Sequence, residues 1–271
     1  MYADLHIHSI HSDGLLSPLE ILKIAKELEL KAVAITDHDS VSGVKETITL
    51  AGNEIEVIPA VEISSNIGKL DIHILGYYVD YENAELLSCL DNFKQHRLGR
   101  AKKIIENLYH DGVKLDFERI KTLVQNGSLG RPHIAEALLK NGYVNSINEA
   151  FARYLGYHTP YYVPKMDIHP KEVIQKIKDW HGIPVIAHPG NLNDEDLIYQ
   201  LIADGALGIE VWHPEHSRRW QDTLYQMALK DSLSMTGGSD FHGFRAKYNQ
   251  MGDFGCGKKE VAKLKKAANN R

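Results

Sequence analysis

The sequence has few cysteines, no long apolar run and no excess of positive charge, and each shortage excludes a class of protein. Cys89 and Cys256 are the only cysteines among 271 residues and form no CxxC pair, which argues against a disulfide framework or a thiolate zinc site. No apolar run approaches about 18 residues, and the N-terminus lacks the apolar region of a signal peptide, so no membrane association is expected. With 31 basic and 36 acidic residues, the net charge of −5 argues against a protein that coats nucleic acid. The expectation is a cytoplasmic enzyme without a stable DNA complex.

Short apolar segments rich in β-branched residues predict buried strands. These segments are 2–8, 31–39, 56–64, 71–79, 183–190, 206–214 and 233–242. Helical patterns separate most of them; one example is 17–30, where Ser17 is suited to the N-cap and Pro18 to the first helical position. Alternating strands and helices predict an α/β architecture with a mainly parallel sheet, either open or closed into a barrel.

The stretch 84–165 breaks this alternation. It reads as four consecutive helical patterns, and a helical excursion between two strands of an α/β core is best explained as an insertion. We therefore expect an inserted helical cap subdomain at 84–165, and a main α/β domain made of 1–83 and 166–271.

Histidine is the abundant residue, with 15 in the chain, and its placement is informative. The opening segment "DLHIHSIHSDG" (4–14) places His6 and His8 two residues apart, so on a strand both rings project from one face. Most other predicted strands also contain or end in a residue that can bind a metal: His38, Glu62, His73, His188, Asp240 and His242. Because the carboxyl ends of parallel strands meet at one rim, these side chains predict a metal site. In the alternative interpretation, each is a buried polar residue with its own separate partner.

Seven motifs in order carry a family resemblance: "DLHIHS", "SDG", "TDHD", "VEIS", "HILGY", "AHPG" and "GGSDFH", between residues 4 and 242. Together they resemble the PHP (polymerase and histidinol phosphatase) family of metal-dependent phosphoesterases. The resemblance implies a distorted, TIM-like (β/α)7 barrel with two to three divalent cations, Mn²⁺, Fe²⁺ or Zn²⁺. It implies a first cation held by His6, His8, Glu62 and Asp240, a second by Glu62, His73 and His188, and a third by Asp13, His38 and His242. The candidate catalytic residues are Asp13, His38, Glu62 and His242.

The inserted region is expected to determine the substrate. In "GRPHIA", Arg131 stands at the start of a predicted helix with His133 in the same turn, and both are candidates for phosphate binding. Alternatively, Arg131 is an exposed residue beside the helix cap. His213 is a third candidate for substrate binding; together with His216 and Arg218 it either lines the mouth of the site or lies on the surface.

Further basic and aromatic residues leave two interpretations open. Arg97 and Arg100 lie three apart on a predicted helix, which favours a solvated face over phosphate binding. Tyr161 and Tyr162 precede an apolar segment and are suited either to stacking on a base or to packing. His11 is expected to lie beside the metal ligands or in solvent.

Within the family, the sequence resembles the branch of nucleoside 3′,5′-bisphosphate phosphatases and 5′-to-3′ exoribonucleases that act on short RNA. The implied reaction is hydrolysis of nucleotide phosphate esters by metal-activated water, with a small phosphorylated nucleotide or short RNA as substrate. One alternative is a phosphomonoesterase for histidinol phosphate or another small molecule. The other is a non-catalytic module that binds metal or nucleotide. The sequence leaves the native metal, the preferred base and the oligomeric state open.

Overall fold

The computed structural model describes residues 1–124, 127–243 and 250–270. Within them the strands are β1 (Ala3–Ile7), β2 (Ala32–Ile35), β3 (Glu56–Val57), β4 (Ala60–Ile67), β5 (Leu70–Tyr77), β6 (Ile183–Ile186), β7 (Gly208–Trp212) and β8 (Ser234–Gly237). The α-helices are α1 (Pro18–Glu27), α2 (Val44–Ala51), α3 (Ala84–His110), α4 (Phe117–Lys121), α5 (Arg131–Lys140), α6 (Ile147–Ala150), α7 (Pro170–Asp179), α8 (Glu195–Ala203), α9 (Arg218–Lys230) and α10 (Lys258–Asn269). The predicted mixed α/β architecture is confirmed.

The strands form a three-stranded sheet in the order β1-β2-β3 and a five-stranded sheet in the order β4-β5-β6-β7-β8. All pairs in the first sheet are parallel, as are β6-β7 and β7-β8. The prediction of a mainly parallel sheet holds for four of the six strand pairs; the exception is β5, which is antiparallel to both of its neighbours. The reason is local: β4 and β5 form a hairpin whose two-residue turn includes Gly68 at φ +60°, a conformation that favours glycine.

Single backbone bridges connect the edges of the two sheets. Ile7, at the end of β1, bridges to Phe241 beyond β8, and His38, beyond β2, bridges to Glu62 on β4. The ends of β1 and β2 in the first sheet therefore meet the two edges of the second sheet, β8 and β4, which is where the predicted metal-binding residues lie.

The first strand shows how the sequence pattern sets the two faces. All five residues of β1 are buried. Leu5 and Ile7 join hydrophobic clusters, whereas His6 on the other face meets polar side chains. This alternation confirms that the two apolar residues take the face opposite the imidazoles.

Helices cover the strands and begin where capping residues permit. Helix α1 starts at Pro18, and Ser17 is its N-cap, as the sequence predicts; the Ser17 side chain accepts a hydrogen bond from the Glu20 backbone nitrogen. Helices α7 and α9 contribute Ile174, Ile177 and Leu224 to the largest hydrophobic cluster, which also contains residues of the five-stranded sheet.

Helices α3 to α6 occupy the predicted insertion, and a second hydrophobic cluster lies within them. It includes Ile104 and Leu108 of α3, Ile120 of α4, and Ile134 and Leu138 of α5. The boundaries at 84 and 165 stay a prediction. In the described part of the chain, no helix has both the length and the apolar character needed to cross a membrane.

Candidate metal centre

Glu62 lies at the centre of a group of five imidazoles. It occupies the third position of β4 and is buried. Its Oε2 atom is 3.4 Å from His6 Nε2, 3.3 Å from His8 Nε2 and 2.9 Å from His38 Nδ1, and its Oε1 atom is 2.9 Å from His73 Nδ1 and 3.1 Å from His188 Nε2. A single carboxylate therefore contacts imidazoles contributed by β1, β5 and the segments that follow β1, β2 and β6.

Two aspartates extend this cluster on either side. Asp240 Oδ1 lies 3.4 Å from His6 Nε2 and 3.1 Å from His8 Nε2. Asp13 Oδ1 lies 3.2 Å from His242 Nε2, with His38 Nε2 at 4.0 Å. The nine predicted ligands are thus brought into one cluster; their assignment to individual cations stays a prediction.

The distances between ligand atoms are suited to metal ions. Among the described residues, four sets place one ligand atom from each member within 4.8 Å of the others: His8, Asp13, His38 and His242; His6, His213 and Asp240; His6, His8 and Glu62; and His38, Glu62 and His73. Every ligand atom is nitrogen or oxygen, which suits Mn²⁺, Fe²⁺ or Zn²⁺ without distinguishing them.

Several buried ligand atoms in this cluster lie close to one another yet form no hydrogen bond in the described structure. They are His6 Nε2, His8 Nε2, His38 Nδ1, His73 Nε2, His213 Nε2 and Glu62 Oε2. Buried polar atoms normally have partners, because leaving them unpaired is unfavourable. Converging unpaired atoms are what a bound cation would satisfy, so the residues present fit divalent metal ions.

The pKa values describe a cluster in which carboxylates and imidazoles stabilise each other's charges. Burial alone would lower the pKa of His8, but the carboxylates of Asp240 and Glu62 outweigh it and raise this pKa to about 10. Against the effect of burial, the charges of His38 and His73 hold the pKa of Glu62 well below its usual range. For His73, burial prevails and lowers the pKa to about 4. The carboxylates that would hold a cation are therefore ionised, and His8 would have to give up its proton to bind one.

Three residues at the edge of the cluster adopt left-handed backbone conformations. His188 has φ +31°, Asp240 has φ +51° and Asp39 has φ +50°. Non-glycine residues seldom adopt this region, and when they do they are often found at functional sites. These three residues lie in the turns that follow β6, β8 and β2, and their side chains contact Glu62, His6 and Arg97, respectively.

A second buried carboxylate, Glu210 on β7, positions two of the ligands, and the sequence reading missed it. Its Oε1 atom is 2.9 Å from His6 Nδ1, and its Oε2 accepts a 2.7 Å hydrogen bond from the His188 backbone nitrogen. The signal was available, because Glu210 interrupts the apolar segment "ALGIEVW" just as Glu62 interrupts "AVEIS". Such partners fix the ring orientation and tautomer of a metal-binding histidine.

The PHP domain family model matches residues 4–179, which is most of the chain and includes nearly all of β1 to β5 with six of the nine clustered ligands. The chain belongs to the PHP domain family. Consistent with this, it is similar to the 5′-3′ exoribonuclease of Haemophilus influenzae, with 33% identity over 88% of this chain and 89% of the relative.

Two further relatives support the same family. The 3′,5′-nucleoside bisphosphate phosphatase of Chromobacterium violaceum is 32% identical over 88% of this chain and 86% of that protein. A solved structure from Bifidobacterium adolescentis, provisionally described as a metal-dependent phosphoesterase, has a TM-score of 0.90 and 30% identity, and the match covers 97% of this chain and 95% of that one. The PHP domain here thus resembles phosphate ester hydrolases along nearly its whole length.

His213 and His216 lie deeper in the PHP domain than the sequence suggested. His213 is fully buried, and its Nε2 atom is 3.5 Å from Asp240 Oδ2. The expectation that it lines the mouth and contacts substrate is corrected, because its ring nitrogen belongs to the buried ligand cluster. His216 is also buried and contacts the Val211 carbonyl and the Gly190 backbone nitrogen. Only Arg218 is exposed, as the surface alternative predicted.

Two residues of the inserted helices have separate roles. His133 is buried, and its Nδ1 atom accepts a hydrogen bond from the Gly130 backbone nitrogen, so it caps α5. This corrects the expectation that His133 contacts substrate, because its ring is covered and engaged in the cap. The alternative that Arg131 is exposed is wrong: its side chain is mostly buried, with Nη2 4.0 Å from Asp71 Oδ2.

His11 is buried against Glu46, so the solvent alternative for it is wrong as well.

Arg97 and Arg100 are not on a solvated face, because both side chains are partly buried and hydrogen-bonded to other parts of the chain. Arg97 Nε donates a 2.8 Å hydrogen bond to Asp39 Oδ2, and its Nη2 donates to the Ser64 hydroxyl. Arg100 Nε donates to the Val163 carbonyl at 2.8 Å. Solvation was predicted from helical spacing alone, which does not reveal that β2 and β4 place polar groups opposite α3.

Tyr161 and Tyr162 differ in their surroundings, so the choice between packing and stacking on a base is made separately for each. Tyr161 lies against the hydrophobic cluster of the inserted helices and donates to Asp111, which confirms packing for this residue. Tyr162 instead lies beside Tyr157, with ring centroids 4.9 Å apart, and under the Arg100 guanidinium. Only Tyr162 is therefore placed among the basic residues.

Proposed function

We propose that this PHP-domain protein hydrolyses nucleotide phosphate esters, namely nucleoside 3′,5′-bisphosphates and short 5′-phosphorylated RNA, using two to three divalent cations. The observation that carries the proposal is the convergence of five imidazoles on the buried Glu62 carboxylate. No cysteine lies in this cluster of described residues, so an oxygen nucleophile is expected. The names of the relatives support nucleotide and RNA substrates.

The proposed ligands are His6, His8, Asp13, His38, Glu62, His73, His188, Asp240 and His242. When bound, the cations would activate water and stabilise charge on the phosphoryl oxygens and the leaving group. The chain itself holds the carboxylates ionised, since neighbouring imidazoles keep the pKa values of Glu62 and Asp240 well below the usual range despite burial. His6 and His8 form the closed floor of the site. The side chains of His38 and His242 are 16% and 21% exposed, so they and Asp13 would face the reacting phosphate.

A second group of charges beside the metal centre suits a second phosphate. Lys165 Nζ lies 3.0 Å from Asp71 Oδ2, and Arg131 approaches the same oxygen. Asp71 stands two residues before His73 on β5, so both project from one face of the strand. We call Arg97, Arg131 and Lys165 the cation pocket. It has more positive than negative charge, and it is suited to a phosphate one ribose away from the metal centre.

The closed barrel and the helical cap subdomain are part of the same proposal. The two sheets, joined by single bridges from the ends of β1 and β2, would form the distorted (β/α)7 barrel of the family. The region 84–165 would be a helical cap, and its separate hydrophobic cluster supports this. Arg131 comes from that cap, whereas Lys165 lies at its boundary, so the cap would supply substrate contacts to a centre built by the barrel.

The cation pocket also favours this substrate class over the alternative of a small phosphomonoester. A phosphomonoester such as histidinol phosphate carries one phosphate and a positive amine, which the Arg and Lys side chains would repel. Substrates with two anionic groups use both parts of the site.

The test is a substrate panel with purified protein and Mn²⁺: adenosine 3′,5′-bisphosphate, a 5′-phosphorylated oligoribonucleotide, histidinol phosphate and p-nitrophenyl phosphate. We expect the first two to be hydrolysed best, and His8→Ala to abolish turnover of all four. Arg131→Met should raise KM for the bisphosphate about 10- to 100-fold, because hydrogen bonds to charged groups contribute about 1.5–3 kcal/mol. The same variant should leave p-nitrophenyl phosphate, which has no second phosphate, nearly unchanged. Equal loss on both substrates, or no release of phosphate or mononucleotide, would contradict the proposal.

A further inference from the structure

A groove of about 830 Å³ runs along α3 beyond the cation pocket, and the proposed function gives it no occupant. Its floor and walls include His96, Gly99, Arg100, Lys103, Val163 and Lys165. Lys165 belongs to both the groove and the cation pocket, so the two are continuous. None of the nine proposed ligands lines the groove, so the groove is separate from the metal centre and adjoins the cation pocket through Lys165.

Gly99 is the first sign that the groove is kept open. It stands in the middle of the 27-residue helix α3, where an exposed glycine is about 1 kcal/mol less favourable than alanine. Neither close packing nor the backbone conformation requires it, since a Cβ atom at Gly99 would meet nothing within 4 Å. A longer side chain at this position would project into the groove.

The second sign is a guanidinium whose charge is incompletely neutralised. Arg100 uses Nε to bind the Val163 carbonyl, but its buried Nη2 has no hydrogen-bond partner in the described structure. Burial, with added repulsion from Arg131 and Arg97, lowers the pKa of Arg100 to about 10. An anion in the groove would supply the missing partner and relieve this repulsion.

The other charged and apolar groups define the chemistry of the occupant. Lys103 and Lys165 add positive charge, and the one carboxylate on the lining, Asp167, accepts a 3.0 Å hydrogen bond from the Asn66 side chain. Val163 and Met166 provide apolar contacts. An occupant with one further phosphate next to the pocket, followed by an uncharged organic group, matches this order.

The position of the groove determines which part of a substrate can reach it, and this step rests on the proposed function. If the 3′-phosphate is at the metal centre and the 5′-phosphate is in the cation pocket, then only a group attached to the 5′-phosphate extends into the groove. The body of an RNA chain is attached through the 3′-phosphate, so it leaves on the other side.

We propose that the groove along α3 binds the substituent on a 5′-diphosphate, so that the enzyme also removes the 3′-phosphate from 3′-phosphorylated nucleosides carrying a substituted 5′-diphosphate. In this reaction, water adds to the 3′-phosphorus, the bond between phosphorus and O3′ breaks, and O3′ takes up a proton. Inorganic phosphate and the intact 5′-diphosphate conjugate are the products.

The test uses coenzyme A, which has a 3′-phosphate and a substituted 5′-diphosphate, beside adenosine 3′,5′-bisphosphate. Gly99→Leu fills the groove, and Lys102→Leu, which adds the same side chain to an exposed α3 position outside it, is the matched control. We expect wild type to release phosphate from both substrates. Gly99→Leu should lower kcat/KM for coenzyme A at least tenfold while bisphosphate turnover stays within twofold. Its Tm should not fall, because leucine is the better helix former, so a loss of activity is not due to unfolding.

A binding measurement keeps the inference separate from the proposed function. Calorimetric titration of metal-free wild type with coenzyme A should give an affinity that Gly99→Leu weakens at least tenfold and Lys102→Leu does not. If the bisphosphate is hydrolysed but coenzyme A neither binds nor reacts, the groove inference is overturned and the proposed function stands. If neither substrate reacts, the proposed function fails. The groove inference then stands only if coenzyme A binds wild type and Gly99→Leu weakens that binding, and it is overturned otherwise. A Gly99→Leu defect in oligoribonucleotide trimming, with coenzyme A unaffected, would mean that the groove holds RNA instead.

Discussion

Replacement of Glu210 by glutamine should weaken metal binding without removing a proposed ligand. The carboxylate receives the His188 backbone N–H through Oε2, at 2.7 Å, and lies 2.9 Å from His6 Nδ1 through Oε1. When His6 Nε2 binds a cation, Nδ1 carries the proton and donates it. His6 Nδ1 and the His188 backbone nitrogen are then both donors, and the two oxygens of the Glu210 carboxylate accept one hydrogen bond from each.

The magnitude follows from counting acceptors. A glutamine amide has one oxygen, so in Glu210→Gln one of the two donors faces an NH₂ group and is left unpaired, at a cost of about 1–3 kcal/mol. Because about 1.4 kcal/mol corresponds to a factor of ten, Mn²⁺ affinity should fall about 10- to 100-fold. Either orientation of the amide disturbs a ligand, His6 through its ring or His188 through its backbone.

The assay is calorimetric titration of Mn²⁺ into metal-free wild type, Glu210→Gln and Glu27→Gln, the last being an exposed glutamate on α1 that serves as control. Burial alone would raise the pKa of Glu210, but the charges of His6 and His213 lower it to about 2, so the effect should persist across neutral pH. Equal Mn²⁺ affinity of Glu210→Gln and wild type, within twofold, would refute the positioning role.

Two further predictions concern stability. In the presence of chelator, the free energy of unfolding should decrease as pH rises from about 6.5 toward 10, because the pKa of His8 is raised from 6.5 to about 10 in the folded state. The stability that its proton contributes is fully present below the unfolded value and is lost as the pH rises to the folded value. Denaturant titrations along this pH range measure the slope, and a flat profile would disprove it. Asp39→Asn should destabilise the protein by about 3 kcal/mol in urea, because it leaves the mostly buried Arg97 cation without its partner. The exposed Arg218–Asp222 pair gives the matched control, since Asp222→Asn should change little; equal effects would contradict the role of burial.

Local patterns in the sequence were sufficient to predict the strands and helices and to identify most of the metal-binding residues. Ser17 and Pro18 marked the start of α1, and the two-residue spacing of His6 and His8 placed both rings on one face. Glu62 and His73 could be recognised because each interrupts an apolar strand, where burying an unpaired polar group is unfavourable. These features depend on residues close together in sequence, which is why one sequence reveals them.

The sequence by itself therefore determined that strands would end in imidazoles and carboxylates, and that an α/β scaffold would gather them. Only the tertiary structure decided which of these side chains contact one another. It buried His213 in the cluster, used His133 as a helix cap, turned Arg97 and Arg100 inward and placed Glu210 behind His6. The physical reason is that helical or strand spacing fixes the direction of a side chain only relative to its own element. The groups that it meets come from segments tens to hundreds of residues away, and their positions follow from sheet register and helix packing.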